Sequence, residues 1–124
     1  MRRSSKKRSA VREARIDDEI IVDAYGPDEK AMGWYYYLED LLCFPFTARC
    51  IAARAISPLK KGEDVTVLAM APDEECQHEI FVRVRWHDRL VAVPLAQLQG
   101  RHVDASTRRG IEDWHYWRAR GYEF

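Results

Sequence analysis

Two groups of carboxylates stand where folding rules would not place them. Glu39 and Asp40 close an apolar stripe that reads as a helix (Ala31, Trp34, Leu38, Leu41, Leu42). At that end the helix dipole disfavours negative charge by roughly 0.3–1 kcal/mol per residue. Asp73, Glu74 and Glu75 form a triple acid on a turn with Glu79 following, an arrangement whose mutual repulsion adds nothing to folding. Violations of local rules of this kind tend to mark functional positions. A hard divalent cation would answer both groups, because calcium takes roughly 6–8 oxygen ligands from carboxylates, backbone carbonyls and water. Carbonyls left open at the helix end and in the turn after Ala71 would add to the carboxylates. No D-x-[DN]-x-[DN]-G-x5-E loop occurs, so such a site must be assembled from separated segments. Glu29 and Asp40 share a helix face but lie 11 residues apart, about 16 Å at the helical rise, too far for one ion. Asp28 and Glu29 are read as serving the helix start. The alternative reading is a solvated turn, with Glu39 and Asp40 paired to Arg49, Arg54 or Lys60.

Other chemistries find less support. Cys43, Cys50 and Cys76 form no CxxC pair and lie in apolar stretches or a turn, which suggests reduced core or boundary thiols. There is no G-x-S-x-G, no GxGxxG and no GxxxxGK[ST], and His78, His87, His102 and His115 sit in no catalytic signature. Zinc would need four soft ligands, and Cys76-x-His78 is the one close pair. His78 reads as a surface residue and His115, beside Asp113, as a hydrogen-bonded packing histidine. No catalytic residue is expected, and no enzyme. The Trp34 to Tyr37 cluster could stack bases and the Trp114 to Trp117 group could line an aromatic ligand pocket, but helix packing is the commoner use of such runs.

The elements that must position these residues follow from periodicity. Ile16, Ile20 and Ala24 recur every four residues, predicting a first helix over about Val11 to Ala24. Pro27 opens a second helix, which Pro45 stops near Cys43. The period then changes to two. Phe46 to Ile51, Asp64 to Ala71, Glu79 to Trp86 and Leu90 to Leu95 read as strands, with Ile80, Val82, Val84 and Trp86 alternating against Phe81, Arg83 and Arg85. Turn residues join them. A third helix is predicted over about Thr107 to Arg120, docking through Ile111, Trp114 and Trp117. The expected fold is α+β: a small antiparallel sheet or SH3-like barrel of four to five strands, with two N-terminal helices and a C-terminal helix.

At 124 residues and 47% hydrophobic content, the chain has the size and core of one domain. It contains no transmembrane run and no signal-peptide apolar region, so a cytoplasmic location is expected. The net charge of zero hides three blocks: +6 over residues 1–15, −9 over 17–79 and +3 beyond. Met1 to Ala10, basic and without apolar periodicity, is expected to be a disordered tail ahead of a single domain over residues 11–124. A rival reading is an interaction module whose basic arm and Arg83-Arg85-Arg89 strand face meet nucleic acid or an acidic protein. Nucleic acid is the less favoured partner, because the arm carries no interleaved aromatics.

The words around the carboxylates carry a resemblance. Val22-Asp23-Ala24-Tyr25-Gly26-Pro27, Ala31-Met32-Gly33-Trp34-Tyr35-Tyr36-Tyr37-Leu38-Glu39-Asp40, Phe44-Pro45-Phe46, Ser57-Pro58-Leu59, Met70-Ala71-Pro72 before the acids and Cys76, and Val93-Pro94-Leu95 resemble the cyanobacterial-type calcium-binding family CcbP, over roughly Ile16 to Leu98. The resemblance implies a small cytosolic protein that binds Ca2+ through an acidic surface without EF-hands and buffers free calcium. By position, Glu39 and Asp40 match the family's acidic pocket, and Asp73, Glu74 and Glu75 its acidic turn. The Arg/Lys-rich start and the stretch from Arg101 to Phe124 lie outside the resemblance.

Overall fold

The structure is a computed structural model that describes residues 9–124. Most of the expected basic tail therefore lies outside the described residues. Its last two positions belong to the first helix, since the Ser9 side chain accepts a hydrogen bond from Arg12 N and Ala10 opens α1 (Ala10–Arg15).

The first helix does not continue to Ala24. After α1 the chain forms one π-helical turn, Ile16–Ile20, closed by Ile21 N donating to Ile16 O at 3.0 Å. The turn keeps Ile16 and Ile20 buried at the spacing that predicted the helix. It ends where α2 (Pro27–Leu41) crosses it at Gly33, where any Cβ would collide with the Ile20 carbonyl.

Five strands follow: β1 (Phe46–Cys50), β2 (Asp64–Met70), β3 (Phe81–Trp86), β4 (Arg89–Pro94) and β5 (Leu98–Arg101). They pair antiparallel in the order β4-β3-β2-β1-β5. The predicted strand from Glu79 begins two residues later, at Phe81, and β5 has no counterpart among the four runs read by alternation. Helix α3 (Ala105–Ala119) starts at its Asp104 cap, whose carboxylate accepts from Thr107 N.

One face of the sheet is apolar. Ala48, Val67, Val82, Val84 and Leu98 are fully buried there, against Trp34 and Leu38 of α2 and Trp114 and Trp117 of α3. The helices meet closely at Gly110, where an added Cβ would stand 3.3 Å from Leu38 Cδ2.

The other face is polar, and the register sets a row of Leu90, Arg85, Thr66, Thr47 and Arg101 across all five strands. Arg83 and Arg85 share this face. Arg89 does not, because it pairs with Trp86, one residue out of phase. The basic strand face anticipated from the sequence thus loses one of its three arginines.

Of the thiols, Cys50 and Cys76 are buried, whereas Cys43 is exposed and stands at the surface rather than in the core. His115 Nε2 donates to Leu98 O at 2.6 Å, as a packing histidine should, and His78 is exposed.

Candidate metal site

Helix α2 must stop at Leu41, because Leu42 turns extended ahead of Pro45. That stop fixes Glu39 and Asp40 in the last turn, and no basic residue accompanies them there. Both are exposed. Two of the three cations that might have neutralised them are engaged elsewhere: Arg49 holds Asp64 at 2.9 Å, and Arg54 grips Glu79 through two hydrogen bonds of 2.5 and 3.0 Å. Among the described residues, Glu39, Asp40, Asp73, Glu74 and Glu75 make no ion pair.

Tyr35 joins the helix to the acidic turn. It sits one helical turn before Glu39, is 9% exposed, and donates its phenolic hydrogen to Ala71 O at 2.7 Å. Two residues on, the chain makes a 3-10 turn, Asp73–Glu75, tied by Glu75 N to Pro72 O and Cys76 N to Asp73 O, both at 2.9 Å. Behind the turn the buried Cys76 thiol receives Phe81 N at 3.3 Å, and Arg54 clamps Glu79. The turn is therefore anchored at both ends while its three carboxylates face solvent.

Between helix and turn lies a cleft of about 140 Å³, lined by Asp28, Met32 and Tyr35 from α2 and by Asp73, Glu74 and Gln77 from the turn. Burial, and then the negative fields of Cys76, Glu39, Asp73 and Glu74, push the Tyr35 hydroxyl up to about 12. One phenol thus feels both acidic groups.

Of the five carboxylates expected to bind the ion, the structure places Asp73 and Glu74 on the cleft beside Tyr35; Glu39, Asp40 and Glu75 are exposed and do not line it. Asp28 and Glu29 stand in the first turn of α2 as expected, where Glu29 accepts from Tyr25 N at 2.8 Å; Asp28 also lines the cleft. The signal for Asp28 was its spacing, since residues 28, 32, 35 and 39 fall on one helical stripe. Among the described residues, no three His, Cys, Asp or Glu side chains already converge on a metal position. The carboxylates offer hard oxygen donors, which suit calcium.

A second polar cluster went unread in the sequence. Asp113, fully buried, accepts from Arg15 Nε and Nη2 at 2.8 Å each and from the Tyr37 hydroxyl at 2.6 Å, with Arg12 Nε at 3.3 Å. This node joins α1, α2 and α3 and leaves no lone pair for an ion.

The calcium-binding family model CcbP matches residues 14–118. Among solved structures, the crystal structure of Anabaena CcbP is 43% identical, covering 95% of this chain and 97% of its own with a TM-score of 0.85. A calcium binding protein in its calcium-binding form is 41% identical, covering 99% of this chain and 100% of its own, also with a TM-score of 0.85. No curated protein matches.

Proposed function

The chain belongs to the CcbP family of calcium-binding proteins and binds calcium, and from that premise we propose that the ion is held by Glu39, Asp40, Asp73, Glu74 and Glu75. Asp73 and Glu74 line the cleft beside Tyr35, and Glu39, Asp40 and Glu75 supply the adjoining carboxylates. Helix-end and turn carbonyls and water complete the shell. The observation that carries this reading is the Tyr35 to Ala71 hydrogen bond, which fixes a helix end and a turn, both rich in unpaired carboxylates, against each other. Because the oxygens do not yet converge, the ion draws them together on binding. The bound form is therefore more compact and, by mass action on the native state, more stable.

The role is reversible calcium buffering or sensing in the cytoplasm rather than catalysis. Among the described residues no helix is long and apolar enough to cross a membrane.

Calorimetric titration of metal-free protein with calcium, in physiological magnesium, tests the assignment. Asp40→Asn and the pair Asp73→Asn with Glu74→Gln should each weaken saturable binding that Glu63→Gln leaves intact. Wild-type affinity in both site variants would move the ligands elsewhere on the molecule.

A further inference from the structure

A larger cleft, of about 480 Å³, opens between β5 and α3. Residues 108, 111, 112, 115, 116 and 119 fall on one stripe of α3 and form one wall. Gln99 and Gly100 of β5 form the other, with Ile51 and Val103 at its ends. The volume lies in the range of roughly 300–1,000 Å³ that takes small organic ligands.

Its charges are arranged unusually. Arg108 and Glu112 stand four residues apart on the helix, a spacing at which the two would ordinarily pair. Instead Glu112 Oε1 is taken by Arg12 Nη2 at 3.0 Å, and Arg12 also reaches Asp113. Among the described residues the Arg108 guanidinium is left at the cleft with no carboxylate. His115, held at Nε2 by Leu98 O and kept neutral by burial, adds no charge. The remaining surface is Gln99, Gly100, Tyr116 and the aliphatic groups of Ile51, Val103, Ile111 and Ala119.

We propose that this cleft binds a small apolar monocarboxylate, its carboxylate on Arg108 and its body along Ile51, Val103, Ile111 and Ala119. The guanidinium fork matches a carboxylate in bidentate fashion. Glu112 at the rim disfavours a doubly charged phosphate more than a singly charged acid.

The test is an NMR titration of labelled protein with benzoate, 1-naphthoate and octanoate, each beside its primary amide. At least one acid should shift the amides of Gly100, Ile111 and Ala119 saturably, binding about tenfold or more tighter than its amide. Arg108→Ala, at an exposed position, should abolish that preference, and Arg108→Lys should restore part of it. The proposal is overturned if no acid reaches these amides at millimolar concentration, if acid and amide bind alike, or if Arg108→Ala keeps the preference.

Discussion

Truncating Asp113 to alanine should be among the most costly single changes in this protein. Its carboxylate is fully buried and receives two hydrogen bonds from Arg15 and one from Tyr37. Removing it leaves the Arg15 guanidinium, 11% exposed, without a counter-charge, and the Tyr37 hydroxyl without its acceptor. Arg12 adds little, because it is 28% exposed and keeps Glu112. Breaking a buried pair on one side costs roughly 3–5 kcal/mol, a large part of the roughly 5–15 kcal/mol that holds an ordinary domain together. Glu112→Ala, which removes the half-exposed partner of Arg12, should cost no more than about 1 kcal/mol. Urea unfolding of both variants in chelator, followed by circular dichroism, measures the difference with calcium's own stabilisation removed. Adding Arg15→Met to Asp113→Leu should recover much of the loss, since a buried pair replaced by apolar side chains is often near neutral. A cost for Asp113→Ala equal to that of Glu112→Ala would refute the reasoning, because it would mean that water solvates the node as it does a surface pair.

Three further outcomes are expected. Tyr35→Phe removes the hydrogen bond to Ala71 O and should cost about 1 kcal/mol; it should also weaken calcium binding by calorimetry, and an unchanged affinity would separate the turn from the helix end. A thiol reagent should titrate one cysteine in the native protein, Cys43, and all three after unfolding; rapid reaction of a second native thiol would contradict the burial of Cys50 and Cys76. Burial holds the His115 imidazole below its ordinary value despite the Leu98 carbonyl. The unfolded chain therefore takes up that proton first, and stability should decline as pH falls below about 6.5. His115→Gln should flatten that part of a melting-temperature profile, and an unaltered slope would remove His115 as its source.

The sheet was legible where alternation is strong. Val82 and Val84 against Arg83 and Arg85 mark β3 because one face is buried and the other wet. β5 was not read by alternation, since it is four residues long with a single fully buried side chain, Leu98. The π turn preserves the four-residue spacing of Ile16 and Ile20, so side-chain periodicity could not separate it from an α-helix. The acidic groups could be seen because each breaks a rule that operates within a few residues. What links them could not: Tyr35 belongs to a run of three tyrosines in which nothing local distinguishes the one that reaches Ala71. Asp113 was invisible as a node because its partner Arg15 lies 98 residues away in the chain.

That separation governs how the chain acquires its shape. Helix α1 has six residues and none of them buried, and a helix so short has no independent stability in water. Its fixed points are Asp113, Glu112 and Tyr116. On a ribosome α1 precedes the sheet yet has nothing to fold upon until α3 has been synthesised. The N-terminal helix is thus the last element to form and, by the same energetics, the first to open when the native protein fluctuates. Hydrogen exchange at its amides would proceed through this local opening, well before the sheet beneath it comes apart.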